Sequence, residues 1–270
     1  MPTAADGVVE VALAQAAASR DGVWSVPDGW QQGRGAWGGL VVAALVRAAV
    51  TAENSSGVAG RPVRSVSAEI VAPVVAGLAT IDVREVRRGS STATWAVEVT
   101  SDGQLAVTAS VVLGDDRRGV SLGEPTPPAP PVPPWSEVAE VDLAPPLAPP
   151  FLQHLRMRPL RGFPYSGSTD DVVAWISYPS GSFDAAALLA LVDGPWPVAL
   201  VRTREQRPMA TLSFLATLLV DPSTVDPSEP LLFASHLIGE HAGYATERRE
   251  LWTADGRLVV ENLQLITLIR

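Results

Sequence analysis

GRGAWGGLVVAALVRAAV, residues 33–50, opens as a glycine-rich loop in which Gly33, Gly35, Gly38 and Gly39 bracket Trp37, then becomes an apolar run from Leu40 to Val50 broken only by Arg47. Ala and Leu are strong helix formers, and neither Pro nor Gly interrupts the run. A helix apolar on every face must be enclosed on every face, and this one is too short to cross a bilayer. The stretch therefore predicts a buried helix with a sheet wrapped around it. Its glycines leave bare backbone amides at the helix N-terminus, where N–H groups and the helix dipole favour an oxygen anion. They equally permit close packing and tight turns, and the stretch alone leaves both uses open.

On the N-terminal side, residues 8–18 read as a short helix and residues 23–26 as a strand, followed by a turn at Pro27, Asp28 and Gly29. On the C-terminal side the long helix ends before Asn54, and four strands are expected at residues 63–71, 79–86, 94–100 and 104–113. In the third, Trp95, Val97 and Val99 alternate with Ala96, Glu98 and Thr100; in the fourth, Leu105, Val107, Ala109 and Val111 alternate. Asp102–Gly103 between them is a strong hairpin signal.

Residues 124–150 are dense in proline, including Pro125, Pro127, Pro128, Pro130, Pro131, Pro133, Pro134, Pro145, Pro146, Pro149 and Pro150. Neither a helix nor an interior strand tolerates this density, so the segment reads as a semi-rigid extended linker. Beyond it the pattern repeats. Residues 183–192, FDAAALLALV, form a second Ala/Leu-rich helix with Asp184 as N-cap and Gly194–Pro195 as its stop. Strands follow at residues 211–220, 231–238, 245–253 and 257–269, the last two joined by Asp255–Gly256. TSDGQLAV at residues 100–107 and TADGRLVV at residues 253–260 match at five of eight positions. The chain is an internal duplication, expected to divide into residues 1–123, a linker at 124–150, and residues 151–270. Pattern alone gives an α+β fold with one helix per sheet.

Composition narrows the function. Hydrophobic residues make up 47% and charged residues 18% of the chain, which suits a large core. There is no cysteine, which excludes disulfides, thiolate metal sites and a Cys nucleophile. There is no lysine either, so all 20 basic residues are Arg, and a Schiff-base or P-loop lysine is excluded. The net charge of −9, without a basic tract, makes nucleic acid and anionic membranes poor partners. Asp6, Glu10 and the lack of a basic start argue against a signal peptide, so a cytoplasmic protein is expected.

The second half places polar groups where the first has apolar ones. In the ungapped hairpin match Gln264 corresponds to Val111, and it shares a strand face with Leu258, Val260, Ile266 and Leu268, with Asn262 as the polar neighbour. Burying such an amide unpaired costs on the order of 1–3 kcal/mol, so it needs partners. Thr211, Ser213, Leu215 and Thr217 are expected on one strand face, and Leu212, Phe214, Ala216 and Leu218 on the other. Asp193 closes the second helix, where the dipole and any desolvation disfavour its charged form; a base working near neutral pH needs that. His154, His236 and His241 show no metal-ligand spacing, with the last two placed around a loop, and neither a nucleophile elbow nor a P-loop is present. Arg202, Arg204 and Arg207 read as solvated loop charges, with a phosphate clamp as the alternative.

The chain resembles the bacterial thioesterase II type of acyl-CoA thioesterase. The similarity lies in AWGGLVVAALVRAA, like that family's Phe-Gly-Gly-Gln helix start, in ATLSFLATLL, and in the closing ELWTADGRLVVENLQLITLIR. It implies a tandem (double) hotdog, two antiparallel sheets each wrapped around a long central helix, and a homodimer formed through the sheets. It implies hydrolysis of an acyl-CoA thioester in fatty acid metabolism by water bound at Asp193, Thr211 and Gln264, with Gly38 and Gly39 as a source of oxyanion amides and with neither metal nor cofactor. The chain departs from the family pattern in Val192–Asp193–Gly194, in Ser213–Phe214, and in an extra residue before Arg270. A non-catalytic acyl or acyl-CoA binding protein on the same fold would instead leave Asp193 facing solvent. A hotdog dehydratase would need an Asp–His pair, and no His lies near Asp193 in sequence.

Overall fold

The computed structural model describes residues 9–57, 60–117, 119, 127–143, 145, 148–179 and 181–269. Val8, the proline-segment residues 124–126, 144, 146 and 147, and the terminal Arg270 lie outside them.

The first half contains α1 (Val9–Ala16), β1 (Ser19–Arg20), β2 (Val23–Val26), β3 (Gln31–Gln32), β4 (Gly35–Ala36), α2 (Gly38–Ser55), β5 (Val63–Ile70), β6 (Gly77–Arg88), β7 (Thr92–Ser101) and β8 (Gln104–Gly114). The second contains β9 (Arg156–Arg161), β10 (Asp171–Ser177), α3 (Ala185–Leu191), α4 (Val198–Arg202), β11 (Met209–Leu218), β12 (Leu231–His241), β13 (Tyr244–Trp252) and β14 (Leu258–Leu268). Every side chain from Gly39 to Val46 in α2 is buried, as its all-round apolar sequence requires. The second helix is shorter than its sequence suggests. Only seven residues are helical, because Asp184 caps it by accepting from the Ala187 N–H at 2.7 Å and Gly194–Pro195 stops it. "Long central helix" thus describes α2 and not α3.

The two expected sheets are one. The strand order is β1-β2-β6-β7-β8-β5-β11-β14-β13-β12-β10-β9, and the halves join where β5 and β11 pair antiparallel, Ala68 opposite Phe214 and Val66 opposite Ala216. Each half alone would end in an open edge of unpaired N–H and C=O groups, and edge-to-edge pairing closes both. α2 and α3 pack against each other inside the curl, running antiparallel. At one end Arg47 of α2 pairs with the Asp184 cap of α3 at 2.7 Å. This accounts for the lone charge in the apolar run.

Two bulges correct the simple alternation expected of the hairpins. The β7–β8 register slips after Val99, with Thr100 opposite Leu105, so Ala106 is inserted and Leu105 turns outward to solvent. The β13–β14 register slips at the equivalent place, inserting Val259 and turning Leu258 away from the face of Gln264. The second-half strand corresponding to β2 is β10, which the sequence did not disclose. Val173 and Trp175 pack on its outer face while Val172, Ala174 and Ile176 face the helices. With both faces buried it reads as an unbroken apolar run, and periodicity gives no strand signal. Its outer face is covered by the described part of the proline segment. Ala129, Val132, Trp135 and Val138 pack there, and the Trp175 indole N–H donates to the Pro133 carbonyl at 3.1 Å. His236 and His241 both lie on β12 rather than around a loop, and Arg202 ends α4 in an ion pair with Asp170. No helix among the described residues is long and apolar enough to cross a membrane.

Candidate active site

The antiparallel helix pair sets the C-terminal end of α3 against the N-terminal end of α2. The contact is closer than any side chain allows. A Cβ on Gly39 would lie 2.6 Å from the Ala190 carbonyl and 2.2 Å from the Trp37 ring, and one on Gly38 would lie 2.6 Å from Asp193 Oδ2. Trp37, just before α2, donates its indole N–H to the Asp193 carbonyl at 2.9 Å. The two glycines therefore serve both uses the sequence left open: they allow the approach, and the Gly39 amide faces the Asp193 carboxylate and favours its charge.

Asp193 is 8% exposed. Its Oδ1 accepts from Gln264 Nε2 at 2.8 Å and faces Arg249 Nη1 at 3.2 Å. Burial pushes the carboxyl up from its ordinary range, while the Arg249 charge, the Gln264 amide, and the Gly39 and Trp37 N–H groups act in the opposite direction; the net shift is upward. Gln264 is fully enclosed, with its second N–H on Asn262 Oδ1 at 3.0 Å and its Oε1 accepting from Thr211 Oγ1 at 3.1 Å. The structure thus brings Asp193, Gln264 and Thr211 into one hydrogen-bonded chain.

Thr211 reaches this chain through a bulge. It opposes Ile266 while Ser213 opposes Leu265, so Leu212 is inserted and Thr211 turns onto the face of Phe214, Ala216 and Leu218. Strict alternation places it on the opposite face, and that expectation is corrected here.

Arg249 and Glu247 were missed in the sequence. On β13 they alternate inward with Ala245 and Leu251 and are 2% and 0% exposed. Arg249 Nη2 lies 3.3 Å from Glu247 Oε2, Glu247 Oε1 accepts from the Ala199 N–H at 3.0 Å, and Ser235 Oγ lies 3.3 Å from Glu247 Oε2. Burial raises the Glu247 carboxyl above its ordinary range, against the Arg249 charge and these hydrogen bonds. The available signal was period-two charge in TERRE, which resembles an exposed edge until its inward face is known. The register makes the contrast between halves explicit. Trp95 opposes Val111 and Val97 opposes Ala109 in the first half, whereas Glu247 opposes Gln264 and Arg249 opposes Asn262 in the second.

An aromatic wall flanks the site. Trp37 stacks on Phe151 at 4.9 Å and Trp30 on His154 at 3.9 Å, so the turn at Pro150–His154 of the second half is fastened over the loop before α2. His154 also contacts the Gly29 carbonyl at 3.1 Å.

Residues 26–114 match the acyl-CoA thioesterase N-terminal domain, and residues 124–268 match the acyl-CoA thioesterase C-terminal domain. The chain belongs to the acyl-CoA thioesterase family. It is a thioesterase of the hotdog fold. Among solved structures it is similar to a conserved hot dog protein of unknown function from Alicyclobacillus acidocaldarius, at 27% identity and a TM-score of 0.85, covering 96% of this chain and 98% of that one. It is similar in fold to the tesB protein of Mycobacterium avium subs paratuberculosis, at 17% identity and a TM-score of 0.74, covering 97% and 99%. It is likewise similar in fold to the acyl-CoA thioesterase II TesB2 of Mycobacterium marinum, at 14% identity and a TM-score of 0.70, covering 95% and 98%. No curated protein matches significantly.

Proposed function

We propose that this thioesterase hydrolyses an acyl-CoA by direct attack of a water held at Asp193, Thr211 and Gln264. The observation that carries the reading is the hydrogen-bonded Thr211–Gln264–Asp193 chain at the N-terminal end of α2, buried at Gln264 and Asp193 and half-buried at Thr211. Gln264 spends both N–H groups on Asp193 and Asn262, which fixes its amide and with it the carboxylate and the Thr211 hydroxyl. The attacking water donates one hydrogen to the Asp193 carboxylate and the other to Thr211 Oγ1, whose own hydrogen is held by Gln264 Oε1, and this leaves the water a lone pair for the thioester carbon. Asp193 takes a proton from that water as its oxygen bonds to the thioester carbon, a role suited to a carboxyl raised toward neutral pH. The Gly39 amide is engaged with Asp193, so the developing oxyanion falls to the neighbouring first-turn amide of Gly38, which has no acceptor within the helix. Collapse of the tetrahedral intermediate breaks the C–S bond. The CoA thiolate leaves with the proton Asp193 had taken, and the free acid remains. The purely binding alternative leaves Asp193 facing solvent, and the burial of this side chain, with Gln264 and Arg249 both on its Oδ1, supports catalysis over it.

The test is release of CoA thiol from a panel of acyl-CoAs of increasing chain length, followed with a thiol-reactive dye to which the cysteine-free protein is silent. Turnover on some member is expected. Acyl-CoA binding by the folded protein without release from any member would overturn the reading.

A further inference from the structure

Among the described residues, the charged side chain that Asp193 meets comes from one direction. On β13 stands Arg249, at 3.2 Å; on β14 the neutral Gln264; on α2 the Gly39 amide and the helix N-terminus; and Trp37 binds its backbone carbonyl. Behind Arg249 is Glu247, at 3.3 Å, and Glu247 is anchored by the Ala199 amide of α4 and by Ser235 of β12. The remaining charges of these strands, Arg248, Glu250 and Glu261, pair with one another on the opposite face. One buried guanidinium is thus shared between two buried carboxylates. A purely structural ion pair needs one partner for each charge, and the second carboxylate weakens the hold of Arg249 on the first.

Resting on the reading of Asp193 as the base, we propose that the buried chain Glu247–Arg249–Asp193 sets the pH at which Asp193 accepts a proton. Arg249 is a positioning residue that favours the charged carboxylate, and Glu247 draws part of that hold away. Removing the cation and removing the distal carboxylate must therefore act on Asp193 with opposite signs. An opposite charge within hydrogen-bonding reach moves a carboxyl by roughly 1–3 pH units. The distal carboxylate, acting through Arg249, moves it less.

The experiment is the pH dependence of kcat/KM for acyl-CoA hydrolysis, whose acidic limb reports the base in the free enzyme. In Arg249→Gln the limb is expected to shift upward by about 1–3 units. In Glu247→Gln it is expected to shift downward, by up to about one unit. Glu247→Gln is nearly isosteric and keeps an acceptor for the Ala199 N–H, so it carries the test even where Arg249→Gln does not fold. A merely structural role lowers the plateau and leaves the limb in place. An unmoved limb in Glu247→Gln, or an upward shift in it, overturns the proposal. Absence of turnover in the unmodified protein would instead reject the reading of the function, and the two failures are distinct.

Discussion

Asp193 stands at two helix ends at once, the negative end of α3 and the positive end of the longer α2, and the net effect of its setting is still to disfavour its charge. That setting has a consequence for stability. A carboxyl whose pKa is raised on folding binds protons more readily in the native than in the unfolded chain, so its contribution falls as pH rises from the ordinary carboxylate range, near 4, through the folded value. Asp193→Asn removes this cost and leaves Arg249 still paired with Glu247. The variant is expected to melt at least as high as the unmodified protein near pH 7, with the gap closing as pH falls toward about 4. Thermal melts across that range check it, and a variant clearly less stable at neutral pH would contradict it. Gln264 was legible in the sequence as a candidate because the duplication supplies its own control, a polar residue in one copy opposite the apolar Val111 in the other, and Asp193 because it closes the second helix. Thr211 was legible as a residue but not in its direction, because a one-residue bulge leaves no mark in an apolar strand sequence. Arg249 and Glu247 were hidden because alternating charges on a strand look the same whether they face water or each other.

At the scale of elements, the site exists because α2 begins where α3 ends. Gly38 and Gly39 serve this contact differently, and their alanine variants should separate. The Gly39 Cβ would meet backbone, the Ala190 carbonyl, and the Trp37 ring, so Gly39→Ala forces the helices apart. It is expected to cost about 1–3 kcal/mol of stability, as overpacking does. The Gly38 Cβ would meet Asp193 Oδ2, a side-chain atom and not backbone, so the carboxylate is pushed out of line while the helices stay in place. Gly38→Ala should therefore lose activity with little change in melting temperature. Denaturant melts together with thiol-release rates on both variants check this, and equal losses of stability would contradict it. The helix start and the Asp102–Gly103 hairpin were readable from local chemistry, with Asp102 and Gly103 both at positive φ. The cap and the stop of α3, Asp184 and Gly194–Pro195, were readable too, but the helix between them is three residues shorter than residues 183–192, starting after its cap and ending at Leu191.

At the scale of the molecule, duplication gives two similar halves, and what distinguishes them is what each strand face meets. The first half fills its helix-facing positions with Trp95, Val97, Ala109 and Val111, while the second places Glu247, Arg249, Asn262 and Gln264 in the same register. The repeat was visible in the sequence, but the joining of both copies into one sheet was not, because edge pairing of β5 with β11 is backbone chemistry without a side-chain signature. The same holds for the proline segment, whose composition excludes regular structure but does not say that Trp135 and its neighbours lie on the outer face of the second half. The proposed hydrolysis depends above all on Asp193 as the base. The most direct measurement is kcat/KM of Asp193→Asn beside the unmodified protein, on the acyl-CoA it turns over best, with circular dichroism confirming that both are folded. A loss of roughly 10²–10⁴-fold is predicted, the usual worth of a positioned general base. A folded variant that retains its rate within a few-fold would show that the hydrolysis runs through some other group.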